Sequence, residues 1–455
     1  MNAGLATVDD LDAFLGRHPD IGAAQILITD PSGVLRGKSV RRDELAAIYR
    51  EGRQVAGSIL GLDVTGEDVD ATGLVWDTGD ADLVCRPLAG TLVRVPWLAA
   101  PTAQLLLTMF TQHAAPAPAD PRHALVRAVH ALRSATYTPV VACEIEFYLL
   151  REGSNGQLAP AGGGRQSERD KIDAYSLQRL DDLAAVFDDI YRAAEVQGLP
   201  AGTLMSEYAP GQFEITLQHR ADALRAVDEA IMWKRLVRGV AAQHGLIACF
   251  MAKPFTQRAG SGLHVHVSLN DSDGRNLFAS AEPAGSQLLR NAIGGLRATM
   301  AESLAVFAPN ANSYRRFVSE SYAPIAASWG INNRSVSLRV PAGPPASRHL
   351  EHRIAGADAN LYLTVATVLG AVREGIASQL DPGPPVEGNG YRQVTEPRLP
   401  ATWREALDRA RASEFLGRAL GQDCLKVFLA IKDTECTRFS ATVTELDYAW
   451  YLRTT

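Results

Sequence analysis

Apolar and polar positions change their period several times along the chain, and each change marks an element. The first hundred residues carry short apolar runs between turn residues: AAQILITD (23–30), the turn Asp30-Pro31-Ser32-Gly33, VLRGKSV (34–40), ADLVCRP (81–87) and GTLVRVPW (90–97). Runs of this length bounded by Gly, Pro, Asp and Ser read as strands, so this stretch predicts a small, separate β-rich domain. HAAPAPADP (113–121) then replaces patterned sequence with Pro and Ala and predicts a linker. The boundary is placed near residue 115, giving domains 1–114 and 115–455.

Asp120 before Pro121 has the chemistry of an N-cap followed by a first helical position, which predicts a helix over 121–134. TPVVACEIEFYLL (138–150) predicts a strand. Helical periodicity covers 176–197 and 221–244, and TLMSEYAPGQFEITLQ between them predicts two strands joined at Pro-Gly. Further strands are expected at LIACFMAKP, SGLHVHVSLN, SVSLRVP and HLEHRIAG, a polar turn at DSDGRN, and helices over about 285–306, 359–379 and 402–432. There is no internal repeat. The larger part predicts an α+β domain whose apolar strands contain polar groups.

Composition narrows the class. Of 455 residues, 46% are hydrophobic and 21% charged, which excludes fibrous and disordered chains. The net charge is 45 − 51 = −6 with no long basic run, so neither nucleic acid nor an anionic membrane is an expected partner. The five cysteines are scattered without CxxC spacing, which argues against a disulfide framework or a thiolate zinc site and suits a reducing cytosol. No secretory leader and no stretch of roughly 20 apolar residues is apparent, and a cytoplasmic location is expected.

The candidate chemistry lies where strands should be apolar. Glu144 and Glu146 alternate with Ile145 and Phe147, so one strand face carries two like charges. That face is either solvated or, if buried, in need of a cation or protons. His264, His266 and Ser268 repeat the pattern opposite Leu263, Val265 and Val267; a single such histidine is more often structural than a ligand, and two in alternation narrow that margin. Glu207 and Glu214 stand on opposite limbs of a turn, and Glu351 and Arg353 share a strand face. Carboxylates plus imidazoles without thiolates suit Mg²⁺ or Mn²⁺ better than zinc or copper. Arg315, Arg316, Arg334, Arg339 and Arg353 concentrate in the same third of the chain and suit phosphate or carboxylate, or intersubunit ion pairs. No P-loop, dinucleotide fingerprint or kinase motif set is present, so any use of ATP needs another fold.

In order along the chain, EIEFYL, EYAPGQFE, MAKPF, GSGLHVHVSL, NSYRRF, NNRSVSLRVP and LEHRIAGADAN resemble the motifs of the glutamine synthetase family. The resemblance covers essentially the whole chain and implies an N-terminal β-grasp domain followed by a catalytic domain with a curved antiparallel sheet and flanking helices. It implies that Glu146, Glu207 and Glu214 hold the ion facing glutamate, and that Glu144, His264 and Glu351 hold the ion on the nucleotide phosphates, with two or three ions per site. His266 and Ser268 align with nucleotide contacts, Arg334 and Arg339 with phosphate-binding arginines, and Arg316 and Arg353 with those at the substrate carboxylate or the moving phosphoryl group. Glu146, Glu207 and Gly260 fall at the glutamate. The implied reaction consumes ATP, phosphorylates the γ-carboxylate of L-glutamate and transfers the acyl group to an amine, in a homo-oligomer of two stacked hexameric rings, a dodecamer.

Departures from the family pattern point to the amine. Members that use ammonium read NSYKRLVPGYEAP where this chain reads NSYRRFVSESYAP, so Tyr322 replaces a glutamate, with Glu320 two residues earlier on an extended segment. A phenol there removes a negative charge and adds an aromatic face for an amine bearing a carbon chain. Ala259 replaces an asparagine before Gly260, and His349 an arginine before Glu351. EYAPGQFE with RIAGADAN resembles the branch that makes γ-glutamyl amides of polyamines and monoamines. Asp63 matches an aspartate that a neighbouring subunit lends to the amine pocket. Glutamine synthesis from ammonium, and an inactive assembly protein on the same scaffold, are the alternatives.

Overall fold

The computed structural model describes residues 4–162, 172–393 and 398–455. Two sheets organise the chain. The first has six strands, β1 (Ala23–Thr29), β2 (Leu35–Arg41), β3 (Arg53–Ala56), β4 (Asp82–Pro87), β5 (Val93–Arg94) and β6 (Thr102–Phe110). Their order is β2-β1-β6-β4-β3, with β5 against β6. β1 is parallel to β6 and the other pairs are antiparallel.

Strands and turns do not account for all of this region, because helices form at Val8–Arg17 and Leu45–Glu51. The first is set by a capping box, in which Thr7 and Asp10 satisfy each other's backbone N–H groups. Leu11 and Phe14, three apart, then share one buried face. The C-terminal helix Gln422–Ala441 closes the same core with Val427 and Ile431. Three polar ties accompany that packing: Lys432 donates to Ser32 Oγ at 2.9 Å, Glu435 accepts the Val64 N–H at 2.9 Å, and Arg438 holds Asp63 at 2.6 Å.

The second sheet has nine strands: β7 (Thr138–Glu152), β8 (Leu158–Pro160), β9 (Ala201–Ser206), β10 (Gln212–Leu217), β11 (Ile247–Cys249), β12 (Leu263–Asn270), β13 (Trp329–Ile331), β14 (Leu338–Val340) and β15 (Leu350–His352). Its order is β13-β14-β15-β12-β7-β10-β9, with β8 and β11 on β7. β13 and β14 are parallel, so the sheet is mixed and not wholly antiparallel as expected.

The period-two pattern resolves into two faces. Phe147, Phe213, Ile215, Leu263, Val265 and Val267 are all at most 1% exposed in the main core. Each such side chain contributes about 1.5–3 kcal/mol by leaving water. Helices cover that face. Pro121–Ser134 begins as expected, with Asp120 accepting the Arg122 N–H at 2.9 Å. Arg122 pairs with Asp228 at 2.8 Å, and the Tyr362 hydroxyl donates to the same carboxylate at 2.6 Å. This buried group joins Pro121–Ser134 to Ala223–Gln243 and Leu361–Ala377. The stretch read as one helix over 402–432 is three helices, interrupted at Ser413, which caps the next helix, and at Gly421 with φ 84°. The opposite sheet face carries the polar residues.

Candidate active site

Register decides which polar residues meet. In neighbouring strands Glu214 faces Glu146, His264 faces Glu144, His266 faces Glu351, and Glu351 faces Arg339. Directly opposed residues point to the same side of the sheet, so five strands deliver one continuous polar patch. His264 sits at its centre: Nδ1 is 3.5 Å from Glu144 and 3.7 Å from Glu351, and Nε2 is 3.9 Å from Glu146. Its donor atoms form two overlapping groups, Glu144-His264-Glu351 and Glu146-Glu214-His264, each within 4.8 Å.

The charges in this patch are unbalanced. Burial and the neighbouring Glu146 and Glu144 push Glu207 up to about 8. Burial and the Glu144 charge raise Glu214 well above the usual carboxylate range. Glu144 moves the opposite way: burial opposes ionisation, and hydrogen bonds from His264 and His266 outweigh it. Glu351 is brought down to about 2 because Arg353, His264, His266 and Arg339 outweigh its burial. Carboxyls raised in this way hold protons more tightly than free ones, and a bound cation would displace such protons.

Basic groups border the acids. Arg339 Nη1 lies 2.7 Å from Glu351 Oε2, and Arg353 holds the other oxygen. Arg316 is buried beneath, donating to the Ile354 carbonyl at 2.8 Å and the Arg353 carbonyl at 3.2 Å. Asp358 fixes the short turn that carries Arg316 by accepting from Asn310 and Ser313, both at 2.8 Å. Gly260 and Gly262 allow the close approach: a Cβ on Gly260 would stand 2.8 Å from Arg316 Cγ, and on Gly262 2.8 Å from its Nη2.

The glutamine synthetase catalytic-domain family profile matches residues 118–451. The chain belongs to the glutamine synthetase family. It is a ligase of that family. Over 455 residues it is 37% identical to the gamma-glutamylputrescine synthetase of Escherichia coli strain K12, covering 99% of this chain and 96% of the relative. It is 32% identical to the glutamate–isopropylamine ligase of a Pseudomonas species over 96% of each chain. The solved structure of apo GmaS superposes with a TM-score of 0.85 at 28% identity, covering 97% of this chain and 99% of that one.

Members of the glutamine synthetase family use ATP and divalent cations, and this site fits such ions. Its donors are carboxylate oxygens and one imidazole, Glu214 Oε1 is buried without a hydrogen-bond partner, and ligands of one small cation stand about 3 Å apart, close to the spacings here. Glu144, Glu146, Glu207, Glu214, His264 and Glu351 would hold the ions, which supply charge neutralisation at the phosphates.

Not every expected residue joins the patch. Ser268 is buried on β12, on the face that carries His264 and His266, while Arg334 is exposed between β13 and β14. Tyr322 is 59% exposed. Glu320 and Tyr322 have φ of 61° and 59°, so the chain curls there and the expected extended segment is not formed. Glu320 instead pairs with Arg392 at 3.0 Å. Asp63 is buried in the first sheet's domain, where its carboxylate accepts from the Thr65 and Glu67 N–H groups and from Arg438. Gln212 was missed by sequence reading. It donates to Glu146 at 3.2 Å and to the Gly260 carbonyl at 3.0 Å, and its place in EYAPGQFE, two residues before Glu214 on one strand face, was the available signal.

Proposed function

We propose that the protein joins the γ-carboxylate of L-glutamate to an amine bearing a carbon chain, a polyamine or a small monoamine, with ATP converted to ADP and phosphate. A γ-carboxylate oxygen attacks the terminal phosphorus of ATP and the bond to ADP breaks. The amine nitrogen then attacks the acyl carbon of γ-glutamyl phosphate, the carbon–oxygen bond to phosphate breaks, and the amine loses a proton. Arg339 and Arg353 neutralise charge on the moving phosphoryl group and the substrate carboxylate, and Arg316 holds the backbone that carries Arg353 in place. Phosphoryl transfer gains most of its rate from such positioning and charge stabilisation.

The observation that carries this reading is the convergence of four carboxylates, Glu144, Glu146, Glu214 and Glu351, and His264 on a patch bordered by arginines, with Glu207 close enough to feel the charge of Glu146 and Glu144. The relatives named for putrescine and isopropylamine support the acceptor class. Tyr322 and Arg334 belong to the same proposal, as do a dodecamer and Mg²⁺ or Mn²⁺ as the ions; Asp63, expected at a neighbouring chain's amine pocket, is instead buried and held by Thr65, Glu67 and Arg438. His266 and Ser268 line the nucleotide side, and Gly260 borders the glutamate. Five unpaired cysteines suit a reducing, cytoplasmic setting. Among the described residues no helix is long and apolar enough to cross a membrane.

Phosphate release with glutamate, ATP, Mg²⁺ and a panel of amines tests the proposal. Release that depends on glutamate and rises with putrescine or isopropylamine, and little with ammonium, is expected. Release driven by ammonium alone would make this a glutamine synthetase, and none with any amine would leave an inactive scaffold.

A further inference from the structure

Three imidazoles gather beside the carboxylate patch, outside the two groups assigned to ions, with His266 also on the nucleotide side. His219 lies two residues beyond β10, His266 is on β12, and His349 immediately precedes β15. Their ring centroids are 5.6, 5.3 and 5.2 Å apart, and one ring nitrogen from each lies within 4.8 Å of the others. Three imidazoles bound to one tetrahedral ion, with bonds of about 2.0–2.1 Å, place their centroids about 5 Å apart. The rings already stand at that separation.

Their hydrogen bonds suit the same use. A metal-bound histidine usually gives its second nitrogen to a carboxylate or backbone carbonyl, which fixes the tautomer and leaves the first nitrogen its lone pair. His266 Nε2 is 2.7 Å from Glu144 Oε2, and His349 Nδ1 is 2.8 Å from the Ser347 carbonyl. The remaining nitrogen of His266, Nδ1, is buried without a hydrogen-bond partner. His219 is exposed, which opens the cluster to solvent and to a fourth ligand.

We propose that His219, His266 and His349 form a separate imidazole cation site that takes Zn²⁺, Co²⁺ or Ni²⁺ in preference to Mg²⁺. Nitrogen donors favour these ions, whereas Mg²⁺ favours oxygen. The bond from His266 to Glu144 links this site to the carboxylate patch. The inference rests on the three rings and is independent of which amine the enzyme uses.

Titrating Co²⁺ into the full-length protein in excess Mg²⁺, with the visible spectrum recorded, tests it. One equivalent per chain with the intense blue absorption of a four- or five-coordinate nitrogen site is expected. His219→Ala and His349→Ala should each weaken binding at least about tenfold, and Glu351→Gln should keep the blue species. His219→Gln, a change at an exposed ring, serves if the alanine variants unfold. A pale six-coordinate spectrum, or unchanged blue binding in the His219 variants, overturns the proposal.

Discussion

Arg339 and Glu351 face each other across β14 and β15, with Arg339 Nη1 2.7 Å from Glu351 Oε2. The other oxygen of Glu351 holds Arg353 and looks toward His264 at 3.7 Å. One buried carboxylate thus connects the acids of the patch to two of the guanidinium groups. Its loss disturbs both halves of the site.

Glu351→Ala and His264→Ala should each lower phosphate release by at least about 100-fold, by removing charge stabilisation at the phosphates. Glu351→Ala also strands the buried Arg353 guanidinium and the half-buried Arg339, and should cost about 3–5 kcal/mol of stability. Glu351→Gln, which keeps the shape, separates the two effects. Near-normal turnover in a folded Glu351→Gln protein removes this residue from the ion-binding set.

The raised carboxyls predict how pH and metal interact. Glu207 stands near 8 in the folded chain against an ordinary value of 4.5. The folded state therefore keeps a proton that the unfolded chain releases between those values. Its contribution is full below the lower value and is lost as pH rises through about 8. Without metal, Tm should fall from about pH 5 to pH 8, and the gain on adding Mg²⁺ should grow over the same range, because ionised carboxylates are the ligands. Calorimetric titration at about pH 7 in buffers of different ionisation heat should detect protons released on Mg²⁺ binding. A Mg²⁺ effect on Tm that is flat with pH contradicts the assignment.

Gln212 is a positioning residue, since it orients Glu146 and the Gly260 carbonyl. Gln212→Ala should raise the Mg²⁺ requirement and the KM for glutamate by about 10–100-fold, the usual cost of removing a support behind a ligand. The KM for ATP should change much less. Equal changes in both constants would indicate a general loss of structure.

Tyr322 tests the amine assignment. Tyr322→Glu restores a carboxylate where ammonium-using members have one, and should shift the ratio of kcat/KM toward ammonium by about tenfold or more. The measurement is the same amine panel on variant and parent. Unchanged discrimination removes Tyr322 as a selectivity determinant.

The alternation of apolar and polar residues in 138–150 and 261–270 was enough to place Glu144 with Glu146, and His264 with His266, each pair on one face opposite a buried one. The Asp120-Pro121 helix start was equally legible. These features are local, because the pleat of a strand and the cap of a helix depend on residues next to each other. The helix at Val8–Arg17 was legible too, in the Thr7 and Asp10 spacing, but few apolar positions mark it and it was not anticipated.

Tertiary structure decided the pairings. That Glu146 faces Glu214, His264 faces Glu144, and Glu351 lies between His266 and Arg339 follows from strand register, and register is set by backbone hydrogen bonds between distant segments. The same holds for the left-handed residues Glu320 and Tyr322, and for the meeting of His219 with His349. The direction of each side chain was thus written locally, whereas its neighbour was chosen by the folded sheet.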